Sequence, residues 1–321
     1  MSAPTSNHLQ RSDIMFNTCR YVYSESLQVL WSGYGEIARY TSESKDSIIV
    51  KHVTPPETIQ HPRGWNTPLS HKRKLRSYQV EALFYQHYSQ QCDDDCRVPG
   101  YLQEYSPTDE NRILLEDLDA AGYSVRHTNG DYYRVALCLT WLANFHAQFL
   151  ATQTPELWPQ SGYWHLHTRP DELQNMADSP LKQAAADIDE KLHSCSYQTL
   201  NHGDAKLANF CFHKEEKIVA ALDFQYAGRG PGIKDVVLLL ASSFDNSALE
   251  EHANELVQEY FRQLRMKLNA KIPAVDIAAL CRQWADLVPF AWADYQRFLE
   301  GWKPGHSRIT PYMQRHTDSV L

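Results

Sequence analysis

Asp204, Lys206 and Asn209 fall within six consecutive positions of the stretch NHGDAKLANF (residues 201–210), and Asp223 stands near the end of the apolar run IVAALDF (residues 218–224). Carboxylate and amide oxygens are hard donors. A few of them, with water and substrate phosphates completing the octahedron, suit Mg²⁺, whereas a full calcium cage needs more ligands. Lys206, between Asp204 and Asn209, is placed to lie against an anion and to offset the repulsion between two carboxylates and an incoming phosphate. Asp and Asn also serve turns through local hydrogen bonds, and each alone reads that way. Three of them at this spacing, with a carboxylate after a run where it would be costly to bury unpaired, point to cation and phosphate chemistry.

These side chains need elements to hold them. NFCF (residues 209–212) and IVAALDF flank the polar turn HKEEK (residues 213–217), which predicts an antiparallel hairpin. With the turn centred near Glu216, Asn209 faces Asp223 at the roughly 4.5–5.5 Å Cβ separation of opposed residues, close enough to share one cation. A slip of one residue would send one side chain to the other face. Upstream, LQVLWSGYGEIARY (residues 27–40) and SIIVKHV (residues 47–53) read as strands, with Gly33 and Gly35 marking a turn. A proline-rich loop follows, then a helix over residues 75–90, then strands in YLQEYS (residues 101–106) and NRILLEDL (residues 111–118). On that helix Glu81 shares a face with Tyr78, Tyr85 and Tyr88, an aromatic stripe in which a carboxylate wants a cation. Beyond residue 118 the pattern becomes helical, over residues 132–150, 234–244, 248–268 and 275–301. The expected architecture is α+β, with a small β-rich N-terminal lobe (residues 1–117) and a larger, mainly helical lobe (residues 118–321).

Composition narrows the function. The chain has 321 residues and a net charge of −8 with its 15 histidines neutral, so its field repels phosphate backbones and gives no support to nucleic-acid binding. Seven scattered cysteines argue against a disulfide framework and fit a reducing compartment. No apolar run reaches the roughly 18 residues of a membrane span, so a cytoplasmic protein without membrane partners is expected. One basic cluster, HKRKLR (residues 71–76), is either a solvated helix face or a surface for an anionic ligand.

HGDAKLAN followed by DFQ (residues 223–225) resembles the catalytic and metal-binding motifs of the aminoglycoside phosphotransferase and choline kinase superfamily, relatives of protein kinases, and its spacing matches H-x-D-x-x-x-x-N. Together with LANFHA (residues 142–147), the motifs are most similar to the ecdysteroid-kinase-like branch. The resemblance spans residues 27–245. It implies a bilobal protein-kinase-like fold and transfer of the ATP γ-phosphate, with Mg²⁺, to a hydroxyl of a small metabolite or xenobiotic. Asp204 would then be the base, Asn209 and Asp223 the metal ligands, and Lys206 a neighbour of the γ-phosphate. Lys51, at the end of SIIVK, resembles the lysine on the α and β phosphates, with Glu81 as its partner. LLEDL, with Glu116 and Leu118, resembles the segment on which adenine rests, and Gly33 and Gly35 the phosphate-covering turn, though the third glycine is missing. His202 would orient the loop, His146 would be a satisfied buried histidine, and Asp235 is expected to cap its helix, with bracing of the loop from behind as a compatible second role. DFQ replaces DFG and no APE follows, which disfavours a protein substrate.

Candidates for the acceptor pocket are Tyr163, Trp164, Trp292, Tyr295 and Trp302; aromatic residues at helical spacing are more often core, and as a pocket they would suit a cationic amine and a flat apolar alcohol equally well. The alternatives are a pseudokinase-like nucleotide-binding or interaction module and a structural two-lobed protein. The presence of Lys51, Asp204, Asn209 and Asp223 removes the feature that would mark the first.

Overall fold

The computed structural model describes residues 13–30, 33–55, 67–102, 112–272 and 275–321. They fall into two compact units, the described residues of Met1–Tyr78 with Pro99–Gly122 and those of Gln79–Val98 with Tyr123–Leu321. The sequence placed one junction at 117/118; the units divide between Tyr78 and Gln79, between Val98 and Pro99, and between Gly122 and Tyr123.

The first unit is an antiparallel sheet in sequential order: β1 (Ile14–Phe16), β2 (Cys19–Val29), β3 (Gly35–Ser42), β4 (Ser47–Val53) and β5 (Arg112–Glu116). Period-two alternation divides β3 and β4 between two faces. Ala38, Tyr40, Ile48 and Val50 join Ile14, Tyr21 and Leu114 in one apolar cluster, while Val53 joins Leu30, Tyr34 and Tyr78 in another. Strand β2 is longer than the sequence predicted, because most of its residues are exposed and leave no alternation to read. Of the strand expected over residues 101–106, Tyr101 makes an isolated bridge to Leu115, and residues 103–106 lie outside the described residues. Helix α1 (Pro68–His87) starts earlier than residue 75. Thr67 caps it by accepting the Ser70 amide, and Pro68 opens it where a missing N–H costs nothing.

The second unit is mainly helical: α2 (Tyr132–Gln148), α3 (Pro170–Asn175), α4 (Pro180–Gln183), α5 (Ala185–His193), α6 (Ile233–Ser243), α7 (Asn246–Lys271), α8 (Ile277–Asp286), α9 (Val288–Trp302) and α10 (Pro311–Asp318). Helices α2, α7 and α8 begin with Asp131, Asp245 and Asp276 as side-chain caps, and α2 packs along α7. The single helix expected over residues 275–301 is two helices, because Pro289 sits in the first turn of α9 and cannot donate a helical hydrogen bond across a continuous join. Two short ribbons complete the unit: β6 (Thr199–Asn201) pairs with β9 (Gly228–Gly230), and β7 (Phe210–Phe212) with β8 (Val219–Ala221). The polar loop lies between β6 and β7. Among the described residues, no helix is long and apolar enough to cross a membrane.

Candidate active site

The loop is fixed from behind by a buried carboxylate. Both oxygens of Asp235 accept backbone amides, His202 N at 2.6 Å and Gly203 N at 2.9 Å. The Nε2 of His146 meets the same carboxylate at 3.2 Å, and its Nδ1 meets the Tyr260 hydroxyl at 2.8 Å. Asp235 therefore braces; helix α6 has Gly232 at its N-cap and no side-chain cap, so the capping role does not apply. The two short strands contribute few ladder bonds, which leaves side-chain acceptors to hold the turn.

Gly203 is required where it stands. Its φ is +79°, and a Cβ there would lie 1.9 Å from the Tyr226 carbonyl oxygen. His202 turns inward: its Nε2 meets the Leu222 carbonyl at 3.0 Å and its Nδ1 accepts the Asp204 amide at 3.2 Å. A carbonyl needs a donor and an amide an acceptor, so this geometry makes Nε2 the donor and Nδ1 the acceptor. Its ring centroid is 4.5 Å from that of Phe224.

Beyond this support, Asp204 is buried, and its Oδ2 accepts Lys206 Nζ at 2.8 Å and Asn209 Nδ2 at 3.1 Å. Asn209 also donates to the Asp204 carbonyl at 2.8 Å. Asp204 Oδ1 has no hydrogen-bond partner among the described residues. Burial pushes the Asp204 carboxyl above its usual range against the opposing pull of Lys206, and the charge of Asp223 adds to the rise. Burial pulls Lys206 down, but Asp204 and Asp223 outweigh it and hold the ammonium above the ordinary lysine range.

The hairpin register differs by one residue from the expected one. Phe210 pairs with Ala221 and Phe212 with Val219, so Asn209 lies opposite Leu222, whose amide it accepts at 3.0 Å. The turn closes between His213 and Ile218 with Glu216 at φ +51°, which centres it half a residue earlier. Neither site residue obeys strand alternation. Asn209 ends a short 3₁₀ turn, and Asp223 has left the strand at φ +71°. Asp223 and Asn209 supply hard oxygens but few of them, and no cluster of three His, Cys, Asp or Glu residues able to hold a metal occurs among the described residues. That set, beside an orphaned buried carboxylate oxygen, fits Mg²⁺ completed by water and phosphate oxygens.

Glu81 is also buried in this unit. Burial raises the Tyr85 phenol well above its usual range, with the charges of Glu81 and Asp223 adding to the rise, so Tyr85 senses both carboxylates. In the sheet unit, Lys51 is buried on β4 opposite Ile37 and Ile113, with its ammonium 5.5 Å from the Tyr78 ring centroid. Gly35 packs where a Cβ would meet the His52 carbonyl, while Gly33 faces open space. Glu116 accepts the Gly100 amide at 2.8 Å, and Leu118 is buried. Between them Asp117, not singled out by sequence, is held by Arg39 at 2.6 Å and Ser47 at 2.7 Å.

Two of the five aromatic candidates stand by the loop. Tyr163 donates its amide to the Gly203 carbonyl at 3.2 Å, and its hydroxyl lies 3.1 Å from that of Tyr295. Burial raises both phenols, and the Asp204 charge contributes to each. Trp164 is tied to Asp294 at 2.9 Å, Trp292 packs on Tyr312 and His316, and Trp302 stacks on Phe298. Sequence reasoning missed the buried network of Arg297, Asp294 and Lys234, in which Arg297 donates to Asp294 at 2.7 Å and to the Trp164 carbonyl at 2.8 Å. The signal was present: opposite charges three apart in the otherwise apolar segment VPFAWADYQRFL.

Comparison with known proteins shows the fold. The chain has the α+β fold of small-molecule kinases, with an antiparallel sheet in its N-terminal part and helices in its C-terminal part. An amicoumacin kinase, solved with AMP-PNP, Ca²⁺ and Ami, matches with a TM-score of 0.51 and 14% identity, over 91% of this chain and 88% of that one. A choline kinase from Cryptosporidium parvum Iowa II matches with a TM-score of 0.52 and 9% identity, over 94% and 88%. More specifically, residues 158–271 match the ecdysteroid kinase-like family model, a span that holds the loop, the hairpin, α6 and α7. No curated protein matches the sequence. The kinase-like fold and the resemblance carried by HGDAKLAN and DFQ are thereby borne out.

Proposed function

We propose that this chain is an ATP- and Mg²⁺-dependent kinase that transfers the γ-phosphoryl group to a hydroxyl of a small metabolite or xenobiotic. The observation that carries the proposal is Asp204, a buried carboxylate that keeps one oxygen unsatisfied while Lys206 and Asn209 hold the other. Asp204 Oδ1 accepts the proton of the acceptor hydroxyl as its oxygen bonds to the γ-phosphorus and the bond to the β-phosphate oxygen breaks, releasing ADP. Such base assistance contributes a factor of ~10² to 10⁴, the rest coming from positioning and charge stabilisation. Asn209 and Asp223 would hold Mg²⁺, which supplies charge neutralisation at the phosphates. Lys206 steadies Asp204 and faces the transferred group. Lys51, with Gly33, Gly35, Glu116 and Leu118, serves the nucleotide, and Tyr163 and Tyr295 meet the acceptor.

The test is a thermal-shift titration of wild type and Asp223→Ala with ATP, with and without Mg²⁺, followed by ADP release over a panel of alcohols and amino alcohols. A ligand that binds the native state raises its melting temperature by mass action. A Mg²⁺-dependent shift in wild type, lost in Asp223→Ala, is expected. Asp204→Asn is expected to abolish ADP release while leaving ATP affinity within a few-fold. No shift at millimolar ATP would overturn the nucleotide site, and a shift with no turnover by wild type on any acceptor would favour a binding module.

A further inference from the structure

Asp117 has no part in the transfer chemistry above, and it is buried at the point where the chain leaves β5. One oxygen accepts Arg39 Nε at 2.6 Å and the Ser47 hydroxyl at 2.7 Å; the other accepts Arg39 Nη2 at 3.4 Å and the Asp119 amide at 3.0 Å. Its carbonyl accepts the Ala121 amide at 3.0 Å, so the turn that follows β5 is built on this one residue. Burial pushes the Asp117 carboxyl up, but the hydrogen bonds from Arg39 and Ser47 outweigh it and hold the group below its usual range. Arg39 also reaches Asp119 at 2.7 Å and Glu25. Exposed ion pairs contribute little, whereas a buried carboxylate held through both Nε and Nη2 of one guanidinium is fixed in direction as well as in charge.

The place of Arg39 on the sheet gives this turn a task. Between β3 and β4, Ile37 stands opposite Lys51, Arg39 opposite Ile49 and Thr41 opposite Ser47; between β4 and β5, Ile113 stands opposite Lys51 and Leu115 opposite Ile49. Opposed residues share a face, as do residues two apart. Lys51, Arg39 and Ser47 therefore lie on one face, and the apolar cluster of Ala38, Tyr40, Ile48, Val50 and Leu114 on the other. At about 3.4 Å per residue, Ser47 is roughly 14 Å along the strand from Lys51. A nucleotide whose phosphates meet Lys51 and whose base meets Glu116 and Leu118 would run along this face toward Arg39. Glu116 and Leu118 flank Asp117 in the chain, so the pin through Asp117 sets where both stand.

We propose that Arg39 is a positioning residue for the nucleotide base: by pinning Asp117 it holds the segment of Glu116 and Leu118 in the conformation on which the base rests. The proposal rests on the nucleotide reading above and is tested without turnover. Adenosine and tripolyphosphate are titrated calorimetrically into wild type, Arg39→Met, Arg39→Lys, Asp117→Asn and Glu25→Gln, and the folding of each variant is read from its melting curve. Arg39→Met is expected to weaken adenosine about tenfold and to leave tripolyphosphate within about twofold. Arg39→Lys is expected to restore little of the loss, because one ammonium keeps the charge but cannot reach Asp117, Asp119 and Glu25 in a fixed fork. Asp117→Asn, which keeps an acceptor for Ser47 and the shape of the side chain, is expected to weaken adenosine as well, and it supplies the test if Arg39→Met does not fold. Glu25→Gln, which alters an exposed partner, is expected to leave both ligands unchanged. Full rescue by Arg39→Lys would show a field effect in place of a pin and overturn the proposal, as would unchanged adenosine affinity in Arg39→Met or equal losses of adenosine and tripolyphosphate. Wild type that fails to bind adenosine would remove the nucleotide reading itself, a result obtained before any variant is compared.

Discussion

Asp204 is held between two opposing effects: burial pushes its carboxyl up, and Lys206 pulls it down. As the proposed base, Asp204 must be deprotonated, so turnover is expected to fall as pH drops through its folded-state value, which lies above the ordinary aspartate range. Removing the cation removes the downward pull. Lys206→Met is therefore expected to move the acid limb of the kcat/KM profile toward neutral pH, whereas an unmoved limb would mean that another group sets it. Asp204, Lys206, Asn209 and Asp223 were legible because they crowd into 20 positions of sequence. Their orientation was not. Positive φ at Glu216 and Asp223 sets the turn and the exit of the strand, and neither residue type announces a left-handed backbone as glycine does.

At the scale of elements, the loop depends on α6 more than on the strands that flank it. Asp235 satisfies two backbone amides at once, and it does so from a position with no exposure to solvent. An asparagine there keeps one acceptor oxygen and turns an NH₂ group on the other amide, leaving a buried donor unsatisfied. Asp235→Asn is expected to cost about 1–3 kcal/mol of stability, read as a lower urea midpoint, together with a loss of turnover. An unchanged midpoint would show that the loop stands without its brace. The sequence led to a capping role because capping is local, whereas bracing joins residues more than 30 positions apart. The helix break at Leu287 was missed for the opposite reason, since Pro289 was in plain view within a strongly apolar helical pattern.

At the scale of the molecule, the helical unit contains ionisable groups in its interior that its composition did not reveal. His165 is buried, neither ring nitrogen has a partner among the described residues, and desolvation, with Lys234 adding to it, pulls its pKa down to about 3. A histidine with a depressed folded-state value contributes stability present above its unfolded value, near 6.5, and lost as pH falls toward the folded one. His165→Phe is accordingly expected to flatten the decline of the urea midpoint between about pH 6.5 and pH 4 relative to wild type, and parallel curves would contradict this. The α+β order of the chain was readable from the switch in periodicity near residue 118; the link from Lys234 to the Asp294–Arg297 pair was not, because those two elements meet only in three dimensions. That network anchors Trp164, beside Tyr163, while Asp235 and His146 anchor the loop of Asp204. The two scaffolds carry different duties. Under the proposed function, substitutions at the rings of Tyr163 and Tyr295 would leave the phosphate-handling framework standing, so a lineage of such proteins could drift from one acceptor to another without reinventing its chemistry.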